Sequence, residues 1–117
     1  MAYQRIHTSL AGGIETITLD YAPTLNALDL VMAGELEEAL KEAEGNPEVL
    51  VLVLTGAGRA FSAGGDIRYM KDHCDEPDFS KKSMAPLAGK LSEIVLYMKK
   101  MSKIIICAVS GAAAGGA

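Results

Sequence analysis

The apolar run Val49-Leu-Val-Leu-Val-Leu54 passes without a break into Thr55-Gly-Ala-Gly-Arg-Ala-Phe-Ser-Ala-Gly-Gly-Asp-Ile67. No polar residue interrupts the run. It therefore reads as a strand over 49–54 buried on both faces, the usual state of a strand in a parallel sheet. The glycines that follow allow a sharp turn and leave the backbone bare of side chains. Asp66 stands where a helix begins. Strand, glycine-rich loop and helix start together aim backbone N–H groups at an anion or a polarised oxygen.

A second stretch has the same form. Ile104-Ile-Ile-Cys-Ala-Val109 is another apolar strand, and it runs into Ser110-Gly-Ala-Ala-Ala-Gly-Gly-Ala117. Two such loops at the ends of neighbouring strands can set two N–H donors around one oxygen, the geometry of an oxyanion hole. Each loop alone fits a tight turn of an α/β sheet equally well. Spacing excludes two phosphate-binding patterns. The first loop holds no Gly-Lys pair, as a Walker loop requires. Phe61 stands where the dinucleotide fingerprint needs a third glycine after Gly56 and Gly58.

The rest of the chain reads as one α/β domain. Residues 3–19 form a hairpin turning at Ala11-Gly12-Gly13, with alternation along Ile14–Leu19. Asp29 caps a helix whose Met32, Leu36, Ala39, Leu40 and Ala43 share one face. Glu35, Glu37, Glu38, Lys41 and Glu42 fill a solvated face, and Gly45-Asn46-Pro47 ends the helix. A short helix over about 66–70 follows the first loop, then a polar loop over 72–77. A longer helix over about 83–101 places Leu87, Leu91, Ile94, Val95, Met98 and Met101 on one face, with Pro86 in its first turn. Its methionines read as core filler.

Half of the 117 residues are hydrophobic, which is enough for one buried core, and the net charge is −4 without a basic run. That balance argues against a nucleic-acid partner. No apolar run approaches the roughly 20 residues of a membrane span, and the N-terminal residues lack a signal-peptide core. Cys74 and Cys107 form no metal-spaced or Cys-x-x-Cys pair, and Cys107 reads as a small buried hydrophobe. A reducing cytoplasm is the expected location. His7 and His73 read as surface residues.

Three segments, Leu25-Asn-Ala-Leu28, Leu54–Ile67 and Ala108–Gly116, occur in an order and spacing that resembles the enoyl-CoA hydratase/isomerase (crotonase) family over almost the whole chain. The resemblance implies the N-terminal part of a crotonase-like spiral of β-β-α units. Residues 1–117 would then be part of a single acyl-CoA-binding domain. It implies a lyase or isomerase of fatty acid metabolism that polarises a thioester carbonyl and stabilises the resulting enolate. The backbone N–H groups of Gly65 and Gly116 would be the donors. Ala63, Gly64, Gly65, Asp66, Ile67, Arg68, Gly115 and Gly116 would line the substrate site, with Leu25, Asn26, Ala27 and Leu28 beside the nucleotide and pantetheine arm. Asp66 fits a helix cap as well as a ligand contact, and Arg68 a plain surface arginine as well as a phosphate contact. Coenzyme A is part of the substrate, so no separate cofactor and no metal is implied. A homo-oligomer, trimer or hexamer, is implied too. Ser110 stands where asparagine is common and Ile104 where proline is common. The two acid/base glutamates of the hydratases fall beyond Ala117, so residues 1–117 are expected to hold the oxyanion device without them. The alternative is a catalytically incomplete acyl-CoA-binding fragment or a non-enzymatic shortened relative.

Overall fold

The computed structural model describes residues 2–117. The chain begins with a hairpin of β1 (Ile6–Ala11) and β2 (Ile14–Leu19). Gly12 and Gly13 both take positive φ, +59° and +81°, as a two-residue turn between twisted strands requires. Pairing starts at Ile6 rather than Tyr3 for a local reason. The N–H groups of Gln4 and Arg5 donate to the Glu35 carboxylate at 2.8 and 2.7 Å, so they are not free to join a ladder.

Helix α1 (Leu30–Gly45) follows the loop 20–29. Asp29 caps it: Oδ1 accepts from Met32 N at 2.7 Å, while Oδ2 receives Arg5 Nε at 3.2 Å. The predicted apolar face is buried, with Ala33 added to it. Its acidic face is less solvated than the sequence suggests. Glu35 holds the residues before β1, Glu37 receives Lys90 Nζ at 2.9 Å, and Glu44 receives the Ser102 N–H and hydroxyl. Glu42 accepts from the Tyr3 hydroxyl at 3.4 Å. Burial, with Glu42 and then Glu38 adding to it, pushes that phenol up to about 12, so it remains a donor at neutral pH.

Strand β3 spans Val51–Gly56, two residues later than the apolar run begins. Val49 and Leu50 belong to the connection: Val49 N donates to Asn46 O and Leu50 N to Gly13 O. Along β3 only Leu52 and Leu54 are buried, while Val51 and Val53 are half-covered. After the first glycine loop come β4 (Ala60–Ser62) and α2 (Ile67–His73). The predicted polar loop thus starts at Cys74. A π-helical turn over Ser80–Met84 leads into α3 (Ala85–Lys100), then β5 (Ile104–Ala108) and β6 (Ala112–Ala113). In α3 only Ile94 is fully buried. Leu87, Leu91, Met98 and Met101 pack partly against the core, and Val95 is exposed.

The four-stranded sheet has the order β1-β2-β3-β5. β1 and β2 are antiparallel, and β2-β3 and β3-β5 are parallel. A second sheet pairs β4 with β6 in parallel. The two apolar runs are therefore neighbours, as expected from their form. The expectation that the second is buried fails. β5 pairs only with β3, Ile104 and Ile106 are 63% and 51% exposed, and Cys107 is exposed. An apolar run reports what a strand can be covered by, not whether the covering elements lie within these residues. Phe61 is only 5% exposed and belongs to the main core, so the site of the missing fingerprint glycine is packed with an aromatic ring.

The Glu37–Lys90 pair joins α1 to α3 and makes stability depend on pH. The hydrogen bond from Lys90, more than the Lys41 charge, holds the Glu37 carboxyl below its ordinary value of 4.5. The same bond holds the Lys90 ammonium above 10.5. A depressed carboxyl contributes fully above its unfolded value and loses that contribution as pH falls through the folded one. A raised ammonium contributes fully below its unfolded value and loses it as pH rises through the folded one. Glu37→Gln is therefore expected to lower Tm on the plateau between pH 4.5 and 10.5 and to converge on the parent below it. Thermal melts by circular dichroism across pH check this. A constant offset at every pH is the contrary result.

Candidate functional site

The first glycine loop is held in place by two buried polar side chains, Asn26 (1% exposed) and Ser62 (0%). Asn26 lies in a left-handed bend with φ +57°, next to Leu25 at +53°. Asparagine tolerates that conformation better than most residues. Its Oδ1 accepts from Tyr21 N at 2.6 Å. Its Nδ2 donates to Ala57 O and Ala60 O at 3.0 Å, and to Phe61 O at 3.3 Å. The Ser62 hydroxyl donates to Asn26 O at 2.7 Å and accepts from Gly64 N at 3.1 Å. Backbone bonds from Ala63 N to Leu25 O and from Leu28 N to Gly64 O, 3.0 and 2.6 Å long, complete the junction.

Gly64 is one of the places where the two glycine loops touch; Gly111 against Arg59 O is another. The φ of Gly64 is +88°, and a Cβ there would lie 2.6 Å from Ala114 O. Ala114 N in turn donates to Ser62 O at 3.1 Å. The second loop closes on itself through a bond from Ala117 N to Ala114 O. Gly116 packs over Leu28: a Cβ at 116 would stand 3.8 Å from Leu28 Cδ1 and 3.6 Å from Leu91 Cδ1. Leu28 also bridges to Gly65 in parallel. Both proposed donor residues thus adjoin Leu28, Gly65 through its backbone and Gly116 through its side chain. Among the described residues, neither the Gly65 N–H nor the Gly116 N–H meets an acceptor of the chain.

Around this junction lie three hollows. A cleft of about 160 Å³ is lined by Leu25, Ala27, Ala63, Gly65, Asp66, Ile67 and Arg68, together with Pro23 and Thr24. These are most of the residues singled out in the sequence. Asn26 is not among them, since its side chain is turned into the loop backbone. Gly64 is buried and Gly115 belongs to the second loop. A second, largely apolar cavity of about 150 Å³ shares Asp66 with the cleft and adds Tyr69, Met70, Met84 and Leu87. A third, of about 220 Å³, reaches Gly116 past Leu28, Leu91 and Ile94. Sequence reasoning missed Tyr69, Met70 and Met84. The spacing of Asp66, Tyr69 and Met70 on one helical turn was the available signal. Asp66 caps α2, its Oδ1 accepting from Arg68 N at 3.1 Å and Tyr69 N at 3.2 Å. It is the one carboxylate lining the cleft.

Asp66→Ala is expected to cost about 0.5–2 kcal/mol, the usual value of a lost N-cap, and to fray α2 away from the cleft. Helix content and Tm measured together check it. An unchanged melt would mean that the cap adds nothing. Among the described residues no helix is long and apolar enough to cross a membrane, and no group of His, Cys, Asp and Glu is placed to hold a metal ion.

Residues 14–117 match the sequence model of the family described as enoyl-CoA hydratase/isomerase. The chain is similar to the 1,2-epoxyphenylacetyl-CoA isomerase of Escherichia coli, with 35% identity over 88% of this chain and 38% of that protein. Among solved structures, an enoyl-CoA hydratase/isomerase from Xanthobacter autotrophicus Py2 superposes with a TM-score of 0.86 at 30% identity, covering 98% of this chain and 42% of that one. An enoyl-CoA hydratase from Shewanella pealeana gives 0.84 at 31%, covering 97% and 42%. The chain spans about two fifths of the length of the curated relatives it matches. The structures it resembles share the crotonase fold, whose N-terminal portion these residues form.

Proposed function

The chain belongs to the enoyl-CoA hydratase/isomerase family, and from that premise we propose that it binds an acyl-CoA and polarises its thioester carbonyl with the backbone N–H groups of Gly65 and Gly116. One observation carries the reading. Two glycine loops meet at Gly64 and Ala114, and each carries, on a residue next to Leu28, an N–H that meets no acceptor among the described residues. A carbonyl oxygen reached by both would gain stabilisation as it becomes an enolate oxygen, and removing one such donor typically costs roughly 10²–10³ in rate.

The cleft then takes the pantetheine arm past Leu25 and Ala27, with Ala63 and Gly64 keeping the approach narrow. Arg68, exposed at its rim, faces the phosphates of coenzyme A. The apolar cavity beyond Asp66 takes the acyl chain between Met70 and Leu87. Coenzyme A is a piece of the substrate here, and no further cofactor is invoked. The proposed setting is fatty acid metabolism in the cytoplasm, where two exposed, unpaired cysteines are stable. The proposed assembly is a homo-oligomer, trimer or hexamer, which fits the exposed apolar side chains of β5.

A second reading is favoured by Asp66. The only carboxylate in the cleft is occupied in capping α2, so residues 1–117 polarise a thioester with no evident group to move the proton. On that reading the chain by itself binds acyl-CoA and turns over almost nothing. Calorimetric titration with crotonyl-CoA, coenzyme A and NAD tests binding, and crotonyl-CoA hydration tests turnover. Thioester binding with negligible hydration is expected. Arg68→Ala is expected to weaken coenzyme A binding about tenfold, the value of one hydrogen bond to a charged group, with a shallower salt dependence. Binding of NAD without any thioester would overturn the assignment.

A further inference from the structure

We propose that Ser62, anchored by Asn26, is a positioning residue that sets the direction of the Gly65 N–H. The inference rests on the carbonyl-polarising role given to Gly65 above. It adds to that role side chains that touch no substrate.

The Gly65 N–H belongs to the peptide unit whose carbonyl is Gly64 O. No peptide bond among the described residues is cis, so that N–H points opposite to the carbonyl. Leu28 N fixes the carbonyl at 2.6 Å. The N–H therefore projects to the far side, away from the Leu28 backbone. One bond still leaves the peptide unit free to rock about it. The second restraint is on the preceding unit, where Gly64 N donates to Ser62 Oγ at 3.1 Å. The two restraints bracket the α-carbon of Gly64, whose φ of +88° is one of the two dihedrals between them.

Ser62 can hold Gly64 only if its hydroxyl has one orientation. A serine hydroxyl has one proton and two lone pairs. Here the proton goes to Asn26 O at 2.7 Å, which turns a lone pair toward Gly64 N. The Asn26 carbonyl is itself placed by the four contacts of its side chain to Tyr21, Ala57, Ala60 and Phe61. Both bonds on the path from Asn26 through Ser62 to Gly64 are buried. No buried side-chain polar atom is left without a partner among the described residues. The arrangement is thus closed, and losing one hydroxyl opens it at a defined point.

The test is isotope-edited infrared spectroscopy of crotonyl-CoA carrying a ¹³C thioester carbonyl, bound to the chain. The parent should shift the carbonyl stretch to lower frequency than in water. Ser62→Ala should lose most of that shift while coenzyme A affinity stays within a few-fold, because the Ser62 side chain does not line the cleft. Ser62→Thr, which keeps the hydroxyl, should retain it. Ile17→Val, a core truncation in β2 outside the glycine loops, should keep the shift whatever it does to Tm. A full shift in Ser62→Ala overturns the proposal, as does an equal loss in Ile17→Val. Amide exchange of the unsubstituted chain decides the matter if the Ser62 variants do not fold. Gly64 N–H should be protected like the β3 amides, and rapid exchange there overturns the role. An absent shift in the parent chain sinks the carbonyl-polarising reading instead, and Gly64 exchange still decides whether Ser62 holds the loop.

Discussion

Gly64→Ala is expected to separate the two glycine loops and to lower both Tm and acyl-CoA affinity. The conformation at φ +88° costs a non-glycine residue about 1–3 kcal/mol. The new Cβ would also stand 2.6 Å from Ala114 O, and backbone cannot yield as a flexible side chain can. The loop carrying Gly116 must move, and with it the second donor. A binding loss of about 1.4 kcal/mol is already tenfold, so a weakening of at least that size is expected by calorimetry with crotonyl-CoA. Gly58→Ala is the matched control. Its φ is +80°, and a Cβ there meets nothing within 4 Å. It carries the dihedral penalty without the collision. If the two variants lose equal affinity, the contact between loops is irrelevant to binding.

Asn26→Ala is the second large effect, and it acts on folding first. It removes one acceptor and two donor protons from a buried junction. Tyr21 N and the carbonyls of Ala60 and Phe61 would lose their partner, at about 1–3 kcal/mol for each group left dry and unsatisfied. It also removes a residue suited to left-handed backbone. Water reaching the part-buried end near Ala57 offsets some of this. We expect a loss of about 3–5 kcal/mol, in the range reserved for broken buried networks, and a fall in Tm of more than about 10 °C. Asn26→Asp separates the contributions. It keeps the acceptor for Tyr21 N and loses the donors, so its loss should be large too. A melt within a degree of the parent for either variant would contradict the assigned network.

Much of the candidate cleft was legible in the sequence because its parts are backbone. Gly64, Gly65, Gly115 and Gly116 advertise a bare chain, and the strands that carry them advertise their pairing by uninterrupted apolar runs. The cleft residues Leu25, Ala27 and Ala63 through Arg68 follow from the same segments. What stayed hidden depends on which way a side chain turns. Asn26 sits within a ligand-like motif yet faces the loop backbone. Glu35 and Glu37 lie on a face that periodicity gives to solvent, and they bond segments far away in sequence. Tyr69 and Met70 line a cavity only because α2 begins at Ile67 and shares that cavity with Leu28. Coverage of β5 was illegible for another reason: periodicity describes a strand's own faces and carries nothing about a neighbour.

The parallel pairing of β3 with β5 has a kinetic consequence. Thr55 Oγ1 donates to Ala108 O across 53 residues, and the register places Leu54 opposite Cys107. One loop leaves the end of each strand, so a slip of one residue would move the second loop by about 3.3 Å and turn its strand's side chains to the opposite face. Gly65 is set by contacts from Asn26 and Leu28 that themselves close a span of 36 residues, shorter than the 53 residues between Thr55 and Ala108. Gly116 can join it only after a long loop has closed, and closures of high contact order are slow. The two proposed donors therefore come together only once β5 has paired, and a chain with native helices but an unpaired β5 would present the Gly65 N–H without its proposed counterpart.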